Sequence, residues 1–173
     1  MRYKFLSVLA AVALLAACET APESSGNAQS SGASSTTAPS SSSSTATVQI
    51  PAGSQEDLVV NVGDRVFFGF DSSDLTAESR AALEKQAAWM KKFGGVRVVL
   101  EGHCDERGTR EYNLALGERR ANAAKDYLVA LGINPARVKT ISFGKERPAA
   151  LGHNEAAWAQ NRRSVTVVDS AGS

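Results

Sequence analysis

Two side chains of opposite charge frame the stretch "EGHCDERGTREYNLALGERRANA", residues 101–123. One is the carboxylate of Asp105, in a short charged loop closed by Gly108. The other is the guanidinium of Arg120, on a run that reads as a helix. Side chains on a helix lean toward its N-terminus, so Arg120 is predicted to reach toward the loop that carries Asp105, with Leu116 and Asn113 one and two turns before it. An acid and a guanidinium held apart in this way suit a zwitterion. The ammonium meets Asp105, and the carboxylate meets the fork of Arg120 in a bidentate pair. The competing reading is a closed network, with Asp105 and Arg120 paired to each other or to Arg107 and Glu118. Such exposed pairs are common and contribute little.

Other chemistry finds less support in the same residues. His103, Cys104 and Asp105 invite a thiol–imidazole reading, but side chains at a strand end alternate between faces. That predicts His103 and Asp105 on one face and Cys104 on the other. Only one further histidine, His153, exists in the chain, and two cysteines are too few for a disulfide framework or a zinc site. No metal and no cofactor is expected. The nucleotide-binding and hydrolase signatures GxxxxGK[ST], GxSxG and HExxH do not occur, and an enzyme is not expected. Asp105 and Glu106 are adjacent and diverge, which argues against the paired acid and base of a wall hydrolase. A net charge of +1 without a basic block argues against nucleic acid as a partner. Cys104 is read as a small buried thiol with its role open.

The elements that must hold these residues are legible from caps and periodicity. "RVFFGF" is predicted to be a strand with Val66, Phe68 and Phe70 on one face. "TAESRAALEKQAAWMKKF" is predicted to be a helix capped by Thr76, with Leu83, Ala87 and Met90 on one stripe and Gly94-Gly95 ending it. "VRVVLEG" follows as a strand. From about Arg110 the positions Gly117, Ala121, Ala124, Leu128 and Leu131 form an apolar helical seam that Gly132 stops. Gly117 costs about 1 kcal/mol against alanine inside a helix, and close backbone packing is the expected reason. "RVKTISFG", a short helix capped by Asn154, and "SVTVV" complete a β-α-β-α-β-α-β order. The fold class is α/β, an α+β sandwich with helices packed on a mixed sheet of about four strands. Trp89 and Trp158 are expected to pack in or near the core rather than act as stacking platforms.

The N-terminal part reads differently. "MRYKFLSVLAAVALLAAC" carries Arg2 and Lys4 and then an apolar run of about 13 residues, an export signal too short for the ~20 that span a bilayer. "LAAC" resembles the bacterial lipobox, which implies cleavage before Cys18 and its lipidation; a plain secretory signal is the alternative. Two or more acyl chains anchor stably where one does not. Residues 19–47 are mostly Ser, Thr, Ala, Gly and Pro with no large apolar side chain. They cannot bury enough surface to offset ordering. A flexible linker of about 30 residues has a mean span of roughly 30 Å and reaches about 100 Å stretched; a glycosylated stalk is the rival reading. The expected division is a signal at 1–17, lipidated Cys18 and linker at 18–56, a folded domain at 57–169 and a tail at 170–173.

"FGFDSSDL", "EGHCDERGTREYNLALGERRANA" and "SFGKERPAALGHNEAAWAQNRR" resemble the OmpA-like C-terminal domain family over roughly residues 66–168. Within it, they look like the peptidoglycan-associated lipoproteins of Gram-negative bacteria, and the lipobox and linker match that architecture. The resemblance implies non-covalent binding of the peptidoglycan stem peptide through the free ammonium and carboxylate of diaminopimelate. By motif, Asp105 in "HCDERG" resembles the ammonium-binding acid and Arg120 in "ERRA" the carboxylate-binding arginine. Phe70 and Asp71 in "FGFD", with His103, Arg107, Asn113 and Leu116, resemble the rest of the pocket wall. The resemblance also implies a lipid-anchored place in the outer membrane with the domain facing the periplasm. A further implied partner is the periplasmic β-propeller TolB, and with it the Tol–Pal system and a role in constriction at cell division. Relatives in flagellar stators need a membrane span with an ion-carrying acid, and porin-type relatives an N-terminal barrel. The linker stands where either would be.

Overall fold

The computed structural model describes residues 49–169. The signal segment, Cys18, most of the linker and the tail lie outside the described residues. The elements run α1 (Gln55–Asn61), β1 (Arg65–Phe67), α2 (Ala77–Lys92), β2 (Val98–His103), α3 (Arg110–Ala130), a 3-10 turn (Pro135–Arg137), β3 (Val138–Gly144), α4 (Glu155–Asn161) and β4 (Arg163–Val168). The four strands form one sheet in the order β1-β4-β2-β3. β2 and β3 are parallel, whereas β4 is antiparallel to both of its neighbours. The mixed sheet and the β-α-β-α-β-α-β order agree with the sequence. Among the described residues no helix is long and apolar enough to cross a membrane.

Helix ends follow local chemistry. Thr76, Thr109 and Asn154 each accept a hydrogen bond from a first-turn backbone N–H, which satisfies a donor the helix leaves free. Gly132, with φ of +92°, turns the chain out of α3 in the left-handed region. Leu83, Ala87 and Met90 of α2 and Ala121, Ala124 and Leu128 of α3 are buried against Val98 and Leu100 of β2. Full burial of each leucine, methionine or valine among them contributes about 1.5–3 kcal/mol. Leu131, the last position of the predicted seam, is only half-buried at the end of the helix.

Where α3 crosses β2 the two backbones nearly touch. A Cβ at Gly102 would collide with the carbonyl of Gly117, and one at Gly117 would collide with Ser142 Oγ. Glycine inside α3 therefore admits the helix to the sheet, and Arg120, one turn on, is drawn into the interior.

Two boundaries differ from expectation. The predicted domain start at residue 57 cuts through α1, whose N-cap is Ser54. Ser54 Oγ accepts from Asp57 N, and Asp57 Oδ2 accepts from Gly53 N and from the Trp89 indole. Gln55 fastens this helix to the end of β4, accepting from Val168 N at 2.6 Å and donating to Thr166 O at 3.3 Å. The other correction concerns Phe70. β1 stops at Phe67, so Val66 and Phe68 are buried as predicted while Phe70, past the strand, is 62% exposed.

Candidate functional site

The charged loop leaves β2 at the end of the sheet opposite α1. A cavity of about 140 Å³ opens there, between this loop, the start of α3 and the segment after β1. Cavities that enclose whole small ligands run to roughly 300–1,000 Å³, so this one takes the end of a ligand. Asp105 and Arg120 both line it, and they do not pair with each other.

Arg120 is fully buried. Its Nε donates to Ser72 O at 2.8 Å, Nη1 to His103 O at 2.9 Å and Nη2 to Gly69 O at 3.0 Å. It thereby ties the segment after β1 to the end of β2 and forms the floor of the cavity. All three partners are neutral carbonyls. Among the described residues no carboxylate lies within ion-pair distance of this guanidinium. Burial pulls its pKa below the usual arginine value, opposed by the nearby Cys104 and Asp105.

Asp105 is also buried, but it is engaged. Oδ1 accepts from Arg107 N at 3.1 Å, and Oδ2 accepts from Arg107 Nη2 at 2.5 Å and from Arg162 Nη1 at 3.5 Å. Burial pushes its pKa up. The hydrogen bonds and charge of Arg107, with Arg162, outweigh that and hold the carboxyl below its ordinary value. The alternative pairing of Asp105 with Arg107 is therefore present, without Glu118, which is exposed.

The remaining predicted residues divide. Phe70, Asp71, Arg107, Asn113 and Leu116 line the cavity. Asn113 Nδ2 donates to the carbonyls of Arg107 and Thr109 and so shapes the charged loop. Asp71 stands at φ of +52° and accepts from the Tyr112 hydroxyl at the mouth.

The His103 side chain is not part of the cavity wall. Val98, Leu100 and Gly102 of β2 face the helices, so alternation puts His103 on the other sheet face. There its ring stacks on Phe143 with centroids 5.6 Å apart. Burial, then the charges of Arg163 and Arg147, lower its pKa to about 4. Only its carbonyl serves the site, through Arg120.

Cys104 shares the cavity wall with Asp105, contrary to the expected alternation, because β2 ends at His103 with a register shift between Gly102 and His103. Its thiol donates to Asn113 O, and burial raises its pKa.

Three participants are absent from the sequence reading. Tyr112 holds Asp71. Arg162 joins Asp105 to Glu155 and the Phe68 carbonyl. Trp158, expected only to pack, is a platform: the Arg107 guanidinium lies 4.1 Å from its ring centroid and 4.0 Å from that of Phe70. The doublet of arginines in "NRR" was the available signal for Arg162. Trp158 carried none, since its partner lies far away in sequence. Among the described residues no group of His, Cys, Asp and Glu is arranged to hold a metal ion.

Known proteins match both the sequence and the fold. The OmpA family model matches residues 67–162. A peptidoglycan-associated lipoprotein of Rhizobium meliloti is 54% identical over 121 residues, covering 70% of this chain and 69% of the relative. That of Pseudomonas aeruginosa is 42% identical over 160 residues, covering 92% and 93%. The crystal structure of the peptidoglycan-associated lipoprotein from Burkholderia pseudomallei superimposes with a TM-score of 0.60 at 44% identity, over 61% of this chain and 90% of that one. The C-terminal domain of Helicobacter pylori MotB shares the fold at 20% identity and a TM-score of 0.58, over 62% and 84%. With its family model, its relatives and its fold in agreement, the chain belongs to the OmpA family, among the peptidoglycan-associated lipoproteins.

Proposed function

We propose that this protein is a lipid-anchored outer-membrane protein that grips peptidoglycan without chemistry, through the diaminopimelate of the stem peptide. The observation that carries this reading is the Arg120 guanidinium, fully buried at the floor of a cavity and matched only by neutral carbonyls. A charge withdrawn from water without a counter-ion is costly, and a ligand carboxylate entering the cavity supplies the missing partner. Asp105, an ionised acid on the same cavity, takes the ammonium of the same amino-acid head. The head of diaminopimelate beyond its peptide bonds presents both groups on one carbon. Lipidated Cys18 holds the membrane, the linker reaches to the wall, and the domain holds the stem.

One such grip is modest, but the wall is a polymer of identical stems. Many anchored copies act together at high effective concentration while each exchanges freely. The family resemblance further implies a TolB-like partner, the Tol–Pal system and support of the envelope during constriction, and these complete the proposal.

Binding of the full chain to a diaminopimelate-containing peptide, compared with one carrying lysine in its place, tests the site. Lysine lacks the distal carboxylate, and the loss of a charge-assisted bidentate pair of about 2–3 kcal/mol weakens binding by about 30- to 150-fold. Equal affinity for the two peptides refutes the assignment of Arg120.

A further inference from the structure

In the free protein the Asp105 subsite is already filled by a cation from the same chain. Arg107 Nη2 donates to Asp105 Oδ2 at 2.5 Å, and the guanidinium lies over the rings of both Phe70, at 4.0 Å, and Trp158, at 4.1 Å. Two aromatic faces attract a planar cation by their quadrupoles, and they leave only its edge available for hydrogen bonds. That edge is incompletely used: Arg107 Nε is buried with no hydrogen-bond partner among the described residues. The indole N–H of Trp158 donates to Glu106, which also meets His153, so the platform is itself fixed from the loop side.

We infer that Arg107 is an internal competitor, its guanidinium standing in for a ligand's ammonium at Asp105 until a ligand carrying both charges exchanges it out. This rests on the zwitterion reading of the cavity and adds a specificity device to it. An amine alone must break the Arg107–Asp105 pair at 2.5 Å and leaves the guanidinium only the exposed carboxylate of Glu155, 3.9 Å from Nη2. A zwitterion takes Asp105 and returns a carboxylate to the same neighbourhood, where the unpartnered Nε of Arg107 and the fork of Arg120 accept it as a counter-ion. Lone cations are rejected although the cavity is walled by an ionised acid. Negative selection of this kind is a difference between two affinities, set by what the wrong ligand leaves unpaired.

The test uses the full chain and two peptides, one with diaminopimelate and one with lysine at the same position. Arg107→Met keeps the aliphatic stem and removes the competitor. Its affinity for the lysine peptide is expected to rise about tenfold, a change of roughly 1.4 kcal/mol, while its affinity for the diaminopimelate peptide falls. Trp158→Leu keeps the charge of Arg107 and removes one of the two rings it lies over. It is expected to raise lysine-peptide affinity about threefold, a smaller step in the same direction. Thermal melting of each variant establishes that it is folded. If the wild type prefers diaminopimelate and neither substitution raises affinity for the lysine peptide, the competitor role is overturned and the zwitterion reading stands. If the wild type does not distinguish the peptides, both fall together.

Discussion

Replacing Arg120 by methionine separates the two tasks that this side chain performs. The substitution keeps most of the buried stem and removes the guanidinium. Gly69, Ser72 and His103 each lose a charge-assisted donor at 2.8–3.0 Å. At about 1.5 kcal/mol per bond, the low end for a charged donor, the gross loss is about 4.5 kcal/mol. Removing a charge that burial disfavours returns part of this, leaving a net destabilisation of about 2 kcal/mol. A domain with about 5–15 kcal/mol in hand stays folded, and its midpoint falls by about 10 °C.

The assay is therefore double: thermal unfolding followed by circular dichroism, and co-sedimentation with purified sacculi well below the lowered midpoint. Wall binding is expected to be lost in protein that is demonstrably folded. Arg120→Lys sharpens the experiment, because an ammonium keeps the charge but cannot present the fork. It is expected to recover part of the stability and little of the binding. Binding that falls only in proportion to the unfolded fraction, or an Arg120→Met protein that sediments normally, would falsify the role given to this residue.

Two other expectations complete the set. The imidazole of His103, with a folded pKa of about 4 against 6.5 in the free residue, stays neutral in the fold between those values while the unfolded chain takes up a proton. Stability is full above pH 6.5, falls by about 3 kcal/mol as the pH drops toward 4, and falls no further from this source. Urea midpoints measured across that range check the sign and size, and His103→Phe is expected to flatten the slope. Cys18→Ser is expected to give an exported protein that no longer partitions with membranes; finding it still in the membrane fraction places the anchor elsewhere.

Caps and periods made most of the scaffold readable. Thr76, Asn154 and Gly132 each bound an element for a local reason, and Gly117 signalled the contact with β2 through its cost alone. α1 was missed because its evidence is a single turn. "SQED" is a capping pattern, Ser54 with Asp57 three residues on, set against a polar segment that outweighed it.

At the site, the separation of Asp105 and Arg120 followed from helix geometry, since both positions are set by the same loop and helix. The burial of Arg120 did not follow, because it depends on how closely Gly117 lets α3 approach the sheet. The pairing of Asp105 with Arg107 was one of the alternatives read from the sequence, but the stacking of Arg107 on Phe70 and Trp158 was not, because those rings meet only when α4 and the end of β1 converge in three dimensions. His103 was assigned by motif, and alternation placed it with Asp105, but β2 ends at His103 and Asp105 lies past that end. Val98, Leu100 and Gly102 face the helices, and a residue one step further faces away.

The fastening of Gln55 to the last residues of β4 puts the N-terminal end of the described chain at one pole of the domain and the cavity at the other, with β2 running between them. Its six residues cover about 20 Å. A pull between residue 49 and an occupant of the cavity is thus directed along the strands. The ladders joining β2 to β4 and β3 then bear load in shear, many bonds resisting at once, rather than opening one after another from an edge.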